Sequence, residues 1–484
     1  MSGDLLAEAL GHHQAGRLAE AEQLYRRFLA VHPDHPDALH LLGLLAHACG
    51  HHDAARQLIG RAVDIAPDRA VYLQNLAQVL GAMGNPLEAA QCCRRAAQLS
   101  PHDPAPWLAL ARFETENGLM IEAAEALTHV VALCPDDVAA RTNLGEALRA
   151  QGRFAEAVPH FRHILALAPD HLDARYGLGL CLLSLGEMDE GARLYEDGRY
   201  GGRQPRLDIL PHLPKWDGGP MPDGTLLLHL EQGAGDVIQF IRYVPWLKQR
   251  VGRLVLPQRP ELARLLAGID GIDARLGADE VPQSCDAFVP LISLLALFQG
   301  RFPHDVPYLT AEPALARSWR NRLSTTEHLR VGLVWAGNPG HHNDRNRSLP
   351  LEMLRPLLAL PGIAWFSLQV GRNAADIAQL GWQDRITDPS GEVSDFADTA
   401  AILAGLDLVI TVDTSVAHLA GAMNCPAWVL IPAISDWRWV VGRDDSAWYP
   451  SLRLFRQKAS GGWPEVITRL SAALAEVRPP AGRS

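Results

Sequence analysis

The sequence lacks the long apolar run, the paired cysteines and the excess of basic residues that mark several classes of protein. Its longest apolar run in the second half, at 406–412, has the length of a strand and is interrupted by Asp407, whereas a membrane-spanning helix needs about 20 apolar residues. The seven cysteines are scattered without a C-x-x-C pair, which argues against a disulfide framework and a zinc site. The first residues have neither the basic nor the apolar segment of a signal peptide. We therefore expect a cytoplasmic protein without a transmembrane segment.

The balance of charge limits the partners. Among 484 residues, 44 are Lys or Arg and 55 are Asp or Glu, which gives a net charge of −11. An acidic chain is not expected to use nucleic acid as its main partner. The composition, 48% hydrophobic and 20% charged, is ordinary for a globular protein. The length suggests about three domains.

The first 200 residues contain a repeat with a period of 34 residues. Three columns of residues recur at this spacing: a proline, a glycine, and a small residue five positions after the glycine. The prolines are Pro33, Pro67, Pro101, Pro135 and Pro169; the glycines are Gly16, Gly50, Gly84, Gly118, Gly152 and Gly186; the small residues are Ala21, Ala55, Ala89, Ala123, Ala157 and Gly191. Chance alignment of three columns over so many repeats is negligible, so the repeat is a structural unit.

Each unit is expected to be a pair of antiparallel helices. The glycine suits the turn between the helices, where a left-handed backbone is needed, and the small residue lets the two helices approach closely. The proline begins the connection to the next unit, where its missing N–H does no harm. These residues resemble the tetratricopeptide repeat, with six units over 1–200; Arg203 stands where the sixth proline would fall. The resemblance implies an all-α solenoid whose concave groove binds a protein partner.

The second half has a different period. A Gly/Pro-rich stretch at 201–222 is predicted to be a linker. Beyond it, short apolar runs alternate with helical patterns, which predicts two doubly wound parallel α/β lobes at 223–325 and 326–477, followed by a tail at 478–484. The predicted strands are 225–230, 253–256, 287–289, 330–335, 364–368, 406–412 and 427–431. The predicted helices are 237–249, 260–267, 311–326, 351–360, 395–404 and 416–423.

The first of three polar loops follows strand 225–230. Gly233 and Gly235 allow close backbone approach and leave free N–H groups at a helix start, so they are candidate substrate contacts. Asp236 has two interpretations. It is either a carboxylate at a helix start, stabilised by the helix dipole, or a general base that faces a cleft between the lobes.

The second loop follows strand 330–335 and contains Asn338, Arg345 and Arg347. Two arginines at i and i+2 suit a phosphate or carboxylate ligand. The alternative is a solvated cluster of charges.

The third loop joins strand 406–412 to a helix of small residues and contains Asp413, Thr414 and Ser415. Hydroxyl and free N–H groups at such a helix start form an anion site. His418 lies about one turn into the helix. The alternative is that Asp413 or Thr414 is an N-cap and His418 a packing residue.

These motifs resemble the heptosyltransferase-type glycosyltransferases of family 9. Asp413-Thr-Ser-Val-Ala-His418-Leu-Ala is similar to their Asp-Thr-Gly-x-x-His-Leu-Ala signature, with Ser415 in place of glycine. Gly235-Asp236 is similar to their Gly-Asp loop, whose aspartate is the proposed base, and 338–350 takes the place of a basic segment. The resemblance covers about 225–475 and implies a GT-B fold with a nucleotide-sugar in the C-terminal lobe. It also implies that the start of helix 416–423 contacts the donor pyrophosphate.

The resemblance implies a metal-independent, inverting glycosyltransferase without a cofactor. The absence of a D-x-D motif between 201 and 484 disfavours the metal-dependent GT-A class. A solenoid followed by a GT-B domain is also similar in architecture to the O-linked N-acetylglucosamine transferases. The acceptor would then be a protein or glycan presented by the repeats. The alternative function is a non-catalytic interaction scaffold whose GT-B domain binds a nucleotide-sugar or is inactive.

Overall fold

The computed structural model describes residues 2–200, 213–277, 285–323, 328–341 and 343–477. The chain divides into two compact units, Met1–Gly177 and Leu178–Ser484. Most of the predicted linker, 201–212, and the predicted tail, 478–484, lie outside the described residues.

Twelve α-helices occupy residues 2–198, a part of the chain that the structure describes throughout. They are α1 (Ser2–Gln14), α2 (Leu18–Val31), α3 (Pro36–Ala48), α4 (His52–Ile65), α5 (Ala70–Ala82), α6 (Pro86–Leu99), α7 (Pro104–Glu116), α8 (Met120–Leu133), α9 (Val138–Ala150), α10 (Phe154–Leu167), α11 (Leu172–Leu185) and α12 (Met188–Gly198). Each predicted repeat is therefore one pair of helices, and the prediction of all-α tetratricopeptide repeats is confirmed.

The repeat columns have the conformations that the sequence predicts. The six turn glycines have φ between 73° and 90°, the left-handed region in which a side chain would be strained. The alanines of the small-residue column, from Ala21 to Ala157, are 0% exposed. Their methyl groups fill the contact between paired helices, so larger side chains would force the helices apart.

The second compact unit begins at Leu178 inside α11, so the end of α11 and all of α12 belong to it. The N–H of Val441 donates to the carbonyl of Ser184 at 2.8 Å. Arg199, just beyond α12, forms an ion pair of 2.5 Å with Glu231, and their side chains are 2% and 9% exposed. The repeat period places a boundary near 200, whereas these contacts join α12 to the α/β part.

The α/β part contains ten strands and eleven helices among its described residues. Its first half has β1 (Met221–His229), α13 (Ala234–Phe240), α14 (Val244–Lys248), β2 (Val251–Pro257), α15 (Ala263–Leu266), β3 (Ala274–Leu276), β4 (Ala287–Pro290), α16 (Ser293–Leu297) and α17 (Pro313–Arg322). Its second half has β5 (Leu329–Val334), α18 (Asp344–Arg347), α19 (Arg355–Leu358), β6 (Ile363–Ser367), α20 (Asp376–Gln379), β7 (Ile386–Thr387), α21 (Phe396–Leu403), β8 (Leu408–Val412), α22 (Ser415–Ala422), β9 (Ala427–Ile431), β10 (Leu452–Arg456) and α23 (Trp463–Ala475).

The strands form two sheets in which every pair of neighbouring strands is parallel. The order is β3-β2-β1-β4 in the first sheet and β10-β9-β8-β5-β6-β7 in the second. The prediction of parallel α/β structure is confirmed. All seven predicted strands are present, whereas β3, β7 and β10 were not predicted.

The described part of the predicted linker is packed. Trp216 is 3% exposed, and its backbone N–H donates to the carbonyl of Phe288 at 2.8 Å. The strand β1 begins at Met221, within the predicted linker. This segment therefore extends the first sheet and its core.

The strand order places two topological switch points in the molecule. In the first sheet, β1 lies between β2 and β4, and in the second, β5 lies between β6 and β8. At such points the connections leave the sheet on opposite sides, which opens a crevice at the carboxyl ends of the strands. The loops after β1, β5 and β8 are the three polar loops of the sequence.

We expect a fragment that begins at residue 220 to be less stable than one that begins at residue 170. The shorter fragment lacks α12 and the segment before β1, so the buried contacts of Leu194 and Trp216 are lost together with the ion pair of Arg199. At about 1.5–3 kcal/mol for each buried apolar side chain, the loss is about 3–6 kcal/mol. For a unit of this size, that corresponds to roughly 6 °C or more in melting temperature. Thermal unfolding of both fragments measures the difference, and equal melting temperatures would contradict the assignment of α12 to the α/β unit.

Candidate functional site

Asp236 lies in the first turn of α13, directly after the loop that follows β1. Its Oδ1 accepts a hydrogen bond of 2.5 Å from Nη2 of Arg438, a residue in the loop after β9. Its Oδ2 has no hydrogen-bond partner among the described residues, and its side chain is 20% exposed. Asp236 is therefore an ion-paired carboxylate with one oxygen available, which neither interpretation of the sequence included.

The glycine before Asp236 brings the two sheets' helices into contact. A Cβ on Gly235 would lie 3.0 Å from Cδ2 of His418 and 3.4 Å from Cα of Ser415. The start of α13 thus touches the start of α22. Gly233 is the N-cap residue of α13, and a Cβ there would lie 3.4 Å from Oδ2 of Asp236. The glycines serve close packing around Asp236.

The helix α22 begins without a side-chain cap. Thr414 is at the N-cap position, but its hydroxyl lies 3.2 Å from that of Thr411 and makes no capping bond. The side chain of Thr414 therefore does not cap α22. Asp413 precedes it and is partly buried.

The pKa of Asp413 is raised to about 6. Burial is the main cause, and the negative charge of Asp436 adds to it, while Trp439, Arg347 and Arg438 act in the opposite direction. A carboxyl group with this pKa is partly protonated near neutral pH, which is unusual outside functional sites.

His418 is buried within α22. It is 6% exposed, its Nδ1 lies 3.1 Å from the hydroxyl of Tyr449, and its ring stacks on Trp439 at 5.3 Å between centroids. Burial lowers its pKa to about 3, and the charge of Arg438 contributes. His418 is consequently neutral at physiological pH, and any contact with a donor would be a hydrogen bond rather than an ion pair.

Arg347 connects the loops after β5 and β8. Its Nη1 donates to the backbone carbonyl of Asp413 at 2.9 Å, and its Nε donates to Asp344 at 3.3 Å. The side chain is 11% exposed and lies over Gly337, where a Cβ would be 2.6 Å from Nη2. Arg347 therefore fixes the backbone position of Asp413 beside the switch point of the second sheet.

The other two predicted residues of this loop are exposed. Oδ1 of Asn338 accepts from the N–H of Gly340 at 2.9 Å and so closes a local turn. Arg345 makes no hydrogen bond or ion pair with the described residues, which leaves its guanidinium accessible to an anion. Of the two arginines, Arg347 supports the loop after β8, and Arg345 faces solvent.

Arg438 is the site residue that the sequence did not reveal. It donates from Nη2 to Asp236, from Nε to Gln239 at 2.9 Å and from Nη1 to Asp436 at 2.8 Å, and it lies over the ring of Trp437 at 4.4 Å. Burial raises the pKa of Asp436, but the charge and hydrogen bonds of Arg438 outweigh it and lower that pKa overall. The signal for Arg438 was its place in the loop after β9, a strand that ends at the same edge of the sheet as β8.

The described residues contain no group of three or more His, Cys, Asp or Glu side chains that could hold a metal ion. Every helix within the described ranges is too short or insufficiently apolar to cross a membrane.

Comparison with known proteins identifies the repeats. Models of the tetratricopeptide repeat match residues 12–79, 75–138 and 142–202. The chain is 27% identical over 323 residues to Protein FlbA of Caulobacter vibrioides, an alignment that covers 60% of this chain and 53% of FlbA. The chain thus spans about half the length of this curated relative. The repeats support a role as a protein-interaction scaffold.

Two solved structures are partly similar to the chain. YrrB, described as a TPR protein with an unusual peptide-binding site, has a TM-score of 0.35 and 16% identity over 39% of this chain and 96% of YrrB. MamA has a TM-score of 0.32 and 19% identity over 34% of this chain and 90% of MamA.

We expect Asp413→Asn to change the dependence of stability on pH. Because the folded state raises the pKa of Asp413 from 3.8 to about 6, it binds the proton more tightly than the unfolded state does. The wild type therefore loses stability as pH rises through this window, and the variant does not. Melting temperatures measured from pH 4 to pH 7 should show the variant gaining on the wild type. A difference that stays constant with pH would contradict the shifted pKa.

Proposed function

We propose that the chain is a GT-B glycosyltransferase that transfers a sugar from a nucleotide-sugar to a protein or glycan acceptor presented by the repeats. The observation that carries this proposal is the contact between the starts of α13 and α22. It sets Asp236, the candidate base, beside the helix start that resembles a donor pyrophosphate site. The two groups lie at the carboxyl ends of β1 and β8, where α/β sheets bind ligands.

The architecture supports a GT-B assignment. Each sheet is parallel and has a switch point beside its first strand, and the second sheet has the 3-2-1-4-5-6 strand order of dinucleotide-binding domains. Fold alone does not establish activity, so the assignment depends on the residues of the loops. Those residues resemble the family 9 glycosyltransferases at Gly235-Asp236 and at Asp413-Thr-Ser-Val-Ala-His418.

The proposed reaction needs one base and a site for the leaving group. The oxygen of an acceptor hydroxyl attacks C1 of the donor sugar, and the bond from C1 to the diphosphate oxygen breaks. The nucleoside diphosphate leaves with the electron pair, while Oδ2 of Asp236 accepts the hydroxyl proton. The N–H groups at the start of α22 and the accessible guanidinium of Arg345 would stabilise the charge on the diphosphate.

The second candidate function is a non-catalytic scaffold. The matched repeats support it, as does the ion pair that engages Asp236. In that case the α/β unit would bind a nucleotide-sugar without turnover, or bind none.

The substitution Asp236→Asn distinguishes a glycosyltransferase from a non-catalytic scaffold. Asp236→Asn keeps the shape of the side chain but removes its ability to take a proton, so transfer should fall by about a hundredfold or more. The rate is followed as nucleoside diphosphate released from UDP-, GDP-, ADP- and CDP-sugars in the presence of a cell extract that supplies acceptors. Asp223→Asn, at an exposed position of the same lobe, is the matched control.

The control should keep the wild-type rate. If Asp236→Asn transfers sugar as fast as the wild type does, Asp236 is not the base. If the wild type itself releases no diphosphate above background with any donor, the scaffold interpretation is favoured.

A further inference from the structure

The side chain of Arg438 reaches from the loop after β9 to helix α13. Two of its three hydrogen bonds go to that helix, from Nη2 to Asp236 and from Nε to Gln239. The third holds it to Asp436 in its own loop. A guanidinium has five N–H groups, so one on Nη1 and one on Nη2 remain, through which Arg438 can first contact a phosphate before its bond to Asp236 is exchanged.

Arg438 also lies close to the start of α22. Its partner Asp236 directly follows Gly235, where a Cβ would lie 3.4 Å from Cα of Ser415, and the ring of the adjacent Trp439 stacks on His418 at 5.3 Å between centroids. His418 is neutral and supplies no charge of its own. A diphosphate at the start of α22 would therefore lie close to the guanidinium of Arg438, which in this structure bonds to Asp236 and Asp436.

Asp236 and an incoming diphosphate would compete for this cation. Guanidinium groups form paired hydrogen bonds with phosphate oxygens as readily as with carboxylates. A diphosphate carries more acceptor oxygens and more negative charge than one carboxylate. A bond from Nη2 to the diphosphate would free Oδ1 of Asp236.

Gln239 offers a replacement donor for the freed carboxylate. It is 0% exposed, its Oε1 accepts from Arg438, and its Nε2 is buried without a hydrogen-bond partner among the described residues. An unpaired buried donor is costly, by about 1–3 kcal/mol. Residues at i and i+3 of a helix are neighbours, so Gln239 is on the same side of α13 as Asp236.

We propose that Arg438 is a positioning residue that holds Asp236 until the donor binds and then transfers its bond to the donor's diphosphate. This inference rests on the proposed function. While the donor is absent, Arg438 holds Asp236 in place through Oδ1, although Oδ2 is free. Once the diphosphate has taken the Nη2 bond, the carboxylate is released and can turn toward the acceptor hydroxyl. The ion pair thereby couples donor binding to the release of Asp236 from Arg438. This coupling favours an order in which the donor binds before the acceptor.

If Asp236 competes with the diphosphate for Arg438, loss of its charge should raise the affinity for the diphosphate. A purely structural ion pair does not predict this increase. Binding of UDP, GDP, ADP and CDP to the full chain is measured by isothermal titration calorimetry, and the tightest of them is used with the variants. Asp236→Asn removes the competing charge and should raise the affinity for the diphosphate by about threefold to tenfold. Arg438→Lys should weaken it by about tenfold, because lysine cannot form the paired bonds. The corresponding nucleoside, which lacks phosphates, should bind equally to wild type and Asp236→Asn.

The other outcomes overturn the proposal. If the wild type binds a diphosphate but Asp236→Asn binds it equally or more weakly, Arg438 is only a structural link. The proposal is also wrong if Arg438→Lys binds with wild-type affinity, since the guanidinium then receives no phosphate. If the wild type binds none of the four diphosphates, the glycosyltransferase proposal fails together with this one.

Discussion

The ion pair between Arg438 and Asp236 is the interaction on which the candidate site depends. Two charges in a poorly solvated place are costly unless their hydrogen bonds are satisfied, and Arg438 meets this condition with three bonds. The pair ties the loop after β9 to α13, while Gly235 lets α13 touch α22. Because of these contacts, a carboxylate from the first sheet stands beside the helix start of the second sheet.

Much of the fold could be predicted from the sequence, because its signals are local. The repeat is fixed by glycines that need a left-handed backbone and by alanines that need to be buried, and both recur every 34 residues. The predicted strands are short, mainly apolar runs, as buried parallel strands are. The missed strands had weaker patterns: β3 and β7 have three and two residues, and β10 has two arginines among its five residues. The membership of α12 in the α/β unit depends on long-range contacts such as Arg199 with Glu231.

The candidate site was predictable only in part. Asp236, Asp413 and His418 were found because they follow strands, and the ends of parallel strands converge. Their roles depend on neighbours that spacing does not reveal: Arg347 bonds to a backbone carbonyl, and His418 is buried and neutral. Arg438 was missed because its partner Asp236 is 202 residues away in sequence and its flanking tryptophans resemble a core segment.

A crystal structure of the full chain with a bound nucleoside diphosphate tests most directly whether the start of α22 is a diphosphate site. We expect the diphosphate to lie at the start of α22, within hydrogen-bonding distance of the N–H groups of Ser415 and Val416. We also expect Asp236 to lie across the same crevice. A diphosphate bound elsewhere in the α/β unit, or crystals that take up none at millimolar concentration, would contradict this expectation.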